Sequence, residues 1–320
     1  MQDVLNIGVD VAKAELVIAV QDHPECSATI SNHAAPITRW LRTLPTGSRI
    51  AVESTGEYHR ELVSLAQQHG FSTYVLNARD VYFYAKALGQ RGKTDRTDAQ
   101  VISRYLREHH AHLYRFAPGG ATEQEINRLL RRRVVVVAQR DSLEHALQGL
   151  QCLDKPVRQL LAQFDAVLTA MDQEVQALIQ GQAELAAAST QLQTVPGIGP
   201  QGAALLTCLF RRIGFSNADA VVAFSGLDPR PMDSGQKRGR RRLSKRGPAL
   251  LRRQLYMMAF SASRTRAFKP VYQALRARGV SSTAAFVILG RKLLRIAFAL
   301  WRTKTDFEMQ RWEKNTCTQL

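Results

Sequence analysis

Residues 4–11 read as a β-strand that is apolar on both sides and yet carries a carboxylate, Asp10, near its end. Successive residues of a strand point to opposite faces, so such a strand belongs at the centre of a sheet covered on both faces. That requirement selects a layered α/β unit over an all-helical one. A charge inside the strand is costly unless paired, which makes Asp10 either a hydrogen-bonded structural group or a ligand held at a strand end. The rest of the first third extends the pattern. A turn at residues 12–14 leads to a second strand ending near residue 20, and a third strand is predicted over 27–31. A helix follows over 35–44. Residues 49–53 form another apolar strand ending in a carboxylate, Glu53, which leads through Gly56 into a helix over 58–69. A strand at 71–77 and a short helix or loop at 82–88 come next. Glu53 thus sits at the C-terminal end of a strand, the edge where open α/β sheets bind ligands.

Asp95 and Asp98 open the next helix, with Thr94 or Thr97 available as a cap and helical spacing running on to about Glu108. Residues three apart share a helix face, so both carboxylates can address one point. Two readings stand at this stage. The pair is a first turn favoured by the helix dipole with Lys93 and Arg96 as surface partners, or it shares a cation.

The chain has 320 residues, enough for two or three domains, with 45% hydrophobic and 22% charged residues. Its formal net charge of +17 points to a polyanionic partner, with nucleic acid first and an anionic membrane second. The membrane reading is weak, because the long apolar stretch at 284–301 is interrupted by Arg291, Lys292 and Arg295 on one side of an amphipathic core helix. The start, Met1-Gln2-Asp3, lacks a basic n-region, so no secretory signal is expected. Cys26, Cys152, Cys208 and Cys317 have no metal-like spacing, which implies inert thiols in a cytoplasmic protein.

From 121 to 193 proline and glycine become rare, and Leu129, Val136, Leu143, Leu147 and Leu150 recur at helical spacing. Pro156 separates two long helices, the second running through Leu178 into the alanines at 183–188. The pair reads as an antiparallel coiled-coil arm, a spacer or dimerisation element, or as a plain helical bundle. The glycine-rich turn at 195–203 can present backbone N–H groups near Gly197 and Gly199 to a phosphate in helix-hairpin-helix fashion, or it simply lets two helices pack closely. A helix over 204–210 and another over 218–224 follow, then a sharp turn at 225–229. Residues 230–247 hold eight basic residues, Arg230, Lys237, Arg238, Arg240, Arg241, Arg242, Lys245 and Arg246, against one acid, together with three glycines and Ser234. Such a cationic loop suits a phosphate backbone, with Arg252 and Arg253 in support.

In chain order, Gly8-Val9-Asp10-Val11-Ala12-Lys13, Val52-Glu53-Ser54-Thr55-Gly56, Lys93-Thr94-Asp95-Arg96-Thr97-Asp98-Ala99, Val195-Pro196-Gly197-Ile198-Gly199, Gly226-Leu227-Asp228-Pro229, Ser234-Gly235 and Ser244-Lys245-Arg246-Gly247 form a succession. It resembles the DEDD transposases of insertion-sequence family one-hundred-ten, relatives of pilin-gene DNA invertases and of bridge-RNA-guided recombinases. The acids taken alone resemble those of ribonuclease-H-like Holliday-junction resolvases.

The resemblance implies three domains. These are a ribonuclease-H-like (RuvC-like) α/β domain over 1–115, a helical coiled-coil arm over 116–193, and a mainly α C-terminal transposase domain over 194–320. It implies Mg²⁺ or Mn²⁺ held by Asp10, Glu53, Asp95 and Asp98, and Ser234 as the nucleophile of a covalent phosphoserine intermediate. Ser225 and Ser244 are rival serines, Ser244 fitting better in a phosphate-gripping turn. The implied partners are donor and target double-stranded DNA, a structured guide RNA, and further copies of the chain, as a dimer that pairs into a tetramer. Two other classes fit the same residues: a metal-dependent junction resolvase that uses water, and a non-catalytic nucleic-acid-binding protein.

Overall fold

The structure, a computed structural model, describes residues 4–20, 23–54, 58–90, 92, 94–117, 119–230, 239, 241–310 and 312. The chain divides into two compact units, Met1–Pro118 and Gly119–Leu320. In the first, β1 (Asn6–Val11), β2 (Glu15–Val20) and β3 (Ala28–Ser31) precede α1 (Ala34–Leu41). Then come β4 (Arg49–Glu53), α2 (Arg60–Gln68), β5 (Ser72–Leu76), α3 (Ala78–Ala87) and α4 (Asp95–His109). The sheet order is β3-β2-β1-β4-β5. β2 runs antiparallel to both β1 and β3, and β4 and β5 continue parallel to β1. This mixed five-stranded order is compatible with the ribonuclease-H-like fold.

The predicted centrality of β1 follows from how its two faces are filled. Leu5, Ile7, Val9 and Val11 pack with Ile37 and Trp40 of α1 and with Leu62, Val63 and Ala66 of α2. On the opposite face, Ala51 of β4 and Tyr74 and Leu76 of β5 pack with Val81 of α3 and with Val101, Ile102 and Leu106 of α4. Residues 82–88, read from sequence as a short helix or loop, fall largely within a longer helix, because Asn77 caps α3 by accepting from the Arg79 amide at 2.9 Å.

Gly8 decides how closely α4 approaches. A Cβ on it would stand 2.2 Å from the Ala99 carbonyl oxygen and 2.3 Å from the Ser103 amide nitrogen. The helix backbone therefore rests directly on β1, and the Ser103 hydroxyl donates to the Asn6 carbonyl at 2.7 Å. Gly8→Ala is expected to destabilise the first unit by about 3 kcal/mol, at the upper end of overpacking effects, since backbone and not a pliable side chain must move. Thermal unfolding together with faster amide exchange along α4 measures it.

The second unit is helical, with one short ribbon. α5 (Ala121–Leu147) and α6 (Asp154–Gln180) form a hairpin whose antiparallel register is read from ion pairs. Arg133 donates twice to Asp172, at 2.7 and 3.0 Å, and Arg140 donates to Asp165 at 2.7 Å. Pro156 lies in the first turn of α6, where its missing N–H is harmless. The predicted continuation into the alanines does not occur: α6 stops at Gly181 and α7 (Ala183–Gln193) begins as a separate helix. Glycine is a poor helix former, so packing of Leu185, Ala188 and Leu192 into the core sets the new direction.

Next come α8 (Pro200–Arg212), α9 (Ala218–Ser225), β6 (Pro229–Arg230) and β7 (Arg242–Leu243). α10 (Ala249–Ala262), α11 (Lys269–Ala277) and α12 (Ser282–Thr303) complete the unit. α8 starts four residues earlier than predicted because Pro200 occupies its first turn. One core joins α8, α10 and α12 to the base of the hairpin through Ile126, Leu130, Val175 and Ile179. α12 buries Leu289, Leu293, Leu294 and Phe298 and exposes Arg295. No helix among the described residues is long and apolar enough to cross a membrane. Cys208 is buried, which pushes its thiol up to about 12, while Cys26 and Cys152 are exposed and free. Cys317 lies outside the described residues.

Candidate functional site

In the first unit, strand register sets the geometry of the acids. β1 and β4 run parallel with Val9 opposite Val52, so Asp10 and Glu53 come next at one level on neighbouring strands. Adjacent strands lie about 4.8 Å apart, and residues at one level share a face. That face is the one covered by α4, since Gly8, two residues before Asp10, meets Ala99 and Ser103. Ser103 lies over Asn6 and Ala99 over Gly8, so α4 runs antiparallel to β1 and its first turn points to the C-terminal edge. One helical turn from Ala99 back to Asp95 is about 6 Å, and two strand residues from Gly8 to Asp10 about 6.7 Å, which brings Asp95 level with Asp10. Asp98 lies on the next stripe, with Ile102 on the β4 and β5 side.

The start of α4 is fixed by a reciprocal cap. Thr94 Oγ1 accepts from the Thr97 amide at 3.2 Å, and Thr97 Oγ1 accepts from the Thr94 amide at 3.0 Å. Both threonines weighed in the sequence therefore take part. Asp10, Glu53 and Asp98 are partly buried and Asp95 is exposed. All four acids come to one edge in backbone terms. No group of three or more His, Cys, Asp or Glu side chains among the described residues is arranged to hold a metal ion. The donor chemistry, oxygen only, is that of Mg²⁺ or Mn²⁺.

Asn32 was not found in the sequence as part of this edge. It is buried, and its Nδ2 donates to the Ala12 carbonyl at 2.9 Å and to the Tyr58 carbonyl at 3.1 Å. It ties the turn after Asp10 to the loop after Glu53. Its only sequence signal is a polar residue at the end of a strand, which is too common to read.

In the second unit, the chain on either side of the cationic stretch pairs into a short neck. β6 and β7 pair Pro229 with Leu243 and Arg230 with Arg242. Below them the Ser244 amide donates to the Asp228 carbonyl at 3.0 Å and the Lys245 amide to the Gly226 carbonyl at 2.9 Å. Gly226 has φ +72°, and a Cβ there would meet the Gly247 amide nitrogen at 2.7 Å; one on Gly247 would meet the Phe224 carbonyl at 2.0 Å. The segments 224–226 and 245–247 can cross this closely only through the two glycines.

Both rival serines are built into the neck. Ser225 is fully buried; its hydroxyl donates to the Val222 carbonyl at 2.7 Å and accepts from the Leu227 amide at 3.2 Å. Ser244 is buried and donates to the Asp228 carboxylate. That hydroxyl is turned inward, within the turn that the sequence reading offered as a phosphate-gripping one. Arg252 donates to the Gly247 carbonyl, and burial lowers the pKa of its guanidinium. It holds the neck, with Arg253 half-buried beside it in sequence.

Arg230, Arg241, Arg242, Lys245 and Arg246 are exposed. Ser234, Lys237, Arg238 and Arg240, all named from sequence, lie outside the described residues, as does Lys93. On α12, burial and then the neighbouring Arg295 hold Arg291 below the usual guanidinium range, while Asp228 opposes the shift. Sequence reading gave Arg291 only a place on the polar side of this helix. Of the two glycines in the turn before α8, Gly197 has φ +100° and a Cβ on it would stand 2.5 Å from that of Ala262, so its lack of a side chain permits close packing. Gly199 is exposed with open space around its Cα and begins α8.

Residues 7–156 match the transposase family model for DEDD transposases of IS110, and residues 189–273 match the model described as "Transposase IS116/IS110/IS902 family". The chain is 26% identical over 314 residues to the pilin gene-inverting protein of Moraxella bovis, an alignment covering 94% of this chain and 97% of that one. The protein of the same name from Moraxella lacunata matches with the same identity and coverage. A 43.6 kDa protein of insertion element IS110 from Streptomyces coelicolor is 28% identical over 165 residues, or 50% of this chain and 40% of its own. With both family models matched in order, one over the acid-bearing sheet and one over the neck, the chain belongs to the IS110 family of transposases.

Proposed function

We propose that the protein cuts and rejoins DNA through a covalent 5′-phosphoserine at Ser234, with Asp10, Glu53, Asp95 and Asp98 holding divalent cations. The observation that carries this reading is the register that sets Asp10 beside Glu53 under the first turn of α4. Carboxylates at one level repel each other unless a cation or proton lies between them. Mg²⁺ or Mn²⁺ held there would neutralise charge developing on phosphate oxygens. The Ser234 oxygen attacks phosphorus, a P–O bond to serine forms, and the bond to the 3′ oxygen breaks. The serine proton passes to solvent, and the 3′ oxygen leaves as a hydroxyl after taking up a proton. In the second half the 3′-hydroxyl of a partner strand attacks the phosphoserine and expels the serine oxygen, so the bond energy is kept.

Support for Ser234 as the nucleophile is twofold. Its rivals Ser225 and Ser244 are hydrogen-bonded inside the neck, and the exposed Arg230, Arg241 and Arg242 flank the loop that carries it. In the same reading Gly199 offers the open amide end of α8 to a phosphate, as a helix-hairpin-helix turn does. The α5–α6 hairpin is the coiled-coil arm of a homodimer that pairs into a tetramer on DNA, a role consistent with its exposed Val135, Leu160 and Val167. Target choice rests with a structured guide RNA, a division of labour that suits a protein reading backbone and shape.

The test is peptide mapping of protein trapped on a matched DNA with Mg²⁺ and co-purified RNA. A nucleotide adduct on the peptide containing Ser234, with free 3′-hydroxyl ends, is the expected result. Free 5′-phosphate ends and no adduct would mean that water is the nucleophile.

A further inference from the structure

We infer that the outer face of α3 is a stacking platform for unpaired bases of single-stranded DNA, a proposal that rests on the reading of the protein as a DNA recombinase. The observation is a run of cation, ring, ring and cation on one side of the helix. Val81 faces the core, while Tyr82 and Phe83 are 53% and 51% exposed. Their rings meet edge to face, with centroids 5.4 Å apart and planes at 69°. The Arg79 guanidinium lies 5.5 Å from the Phe83 centroid and the Lys86 ammonium 4.7 Å from that of Tyr82. Each contact spans one helical turn, so the four side chains form one surface about 10 Å long. That length matches about three nucleotides of a stacked strand.

Two adjacent aromatic rings left half in water, each with a cation over it, match a nucleic acid strand term by term. The rings offer faces for bases and the cations offer charge for the phosphates between them. In a duplex the base faces are hidden in the stack, so only an unpaired strand can use this surface. DNA is chosen over RNA because of where the helix begins. α3 leaves β5 directly after Leu76, the residue paired with Glu53, so its first turn starts at the edge that carries the acids. Strands that exchange partners must unpair close to the cut, and the platform would hold the bases exposed there.

The experiment uses the full-length protein in EDTA at fixed salt, with labelled 15-nucleotide single-stranded DNA, the matching duplex and the matching single-stranded RNA. The double variant Tyr82→Ala with Phe83→Ala is expected to bind single-stranded DNA about ten- to a hundredfold more weakly. Duplex affinity should stay within about twofold and the melting temperature should not change, as both side chains are exposed. Tyr82→Phe should bind like the parent, because stacking needs the ring and not the hydroxyl. Lys86→Ala should lower the slope of log affinity against log salt by about one. Equal losses on duplex and single strand overturn the proposal, as does a loss confined to RNA. Unchanged single-strand binding with an altered oligomeric state would make the face a protein interface and also overturn it. The serine chemistry is read by the nucleotide adduct on the peptide containing Ser234 and the platform by single-strand affinity in EDTA, so their failures appear in separate assays.

Discussion

Ser234→Ala is expected to abolish the covalent intermediate and strand exchange together, lowering the rate by on the order of 10³-fold or more, as losing the nucleophile of a covalent mechanism does. DNA binding should be nearly unchanged, because the exposed arginines that flank the loop remain. Gel-shift affinity and a recombination assay on a matched donor and target separate the two effects. Ser244→Ala makes the contrast. It removes the inward hydrogen bond to Asp228 and should lower stability by about 1 kcal/mol or somewhat more while leaving the adduct at Ser234. A variant lacking Ser234 that still formed a protein–DNA link would move the nucleophile elsewhere.

Asp10→Asn should give the second large effect, a fall in cleavage of about three orders of magnitude. Losing several kcal/mol of charge stabilisation on the phosphate accounts for that size. The change is isosteric, so it tests charge and not shape. A readout independent of catalysis comes from Mg²⁺ itself. Cation binding to the native protein alone should raise the melting temperature of the parent by an amount equivalent to about 2.7 kcal/mol when Mg²⁺ exceeds its dissociation constant a hundredfold. In Asp10→Asn and in Glu53→Gln that rise should shrink or vanish. An unchanged Mg²⁺ shift in both variants would move the cation away from the β1–β4 edge.

Much of the first unit is legible from local pattern. A strand apolar on both sides is buried on both, and β1 is covered by α1 and α2 on one face and by α4 on the other. Thr94 and Thr97 announce the start of α4 because capping depends on neighbours three residues apart. Local pattern fails where a long-range contact decides. The end of α6 at Gly181 is set by how α7 packs into the core, and a lone glycine in a helical pattern does not say which way packing will turn it. Asn32 matters through two carbonyls 20 and 26 residues away. Ser225 and Ser244 look like any loop serines until their hydroxyls are seen to point inward.

By itself the sequence determined the layers, the strongly cationic character and the residue types: four carboxylates, a serine in a basic loop, and glycines at the turns. These follow from periodicity, charge and local backbone preference, which act over a few residues. Only the tertiary structure decided that Asp10 and Glu53 stand at one level, that Gly8 lets α4 lie with its first turn toward them, and that two glycines clamp the neck below the loop. Strand register and close backbone approach are set by packing between segments tens of residues apart, and no local pattern encodes them.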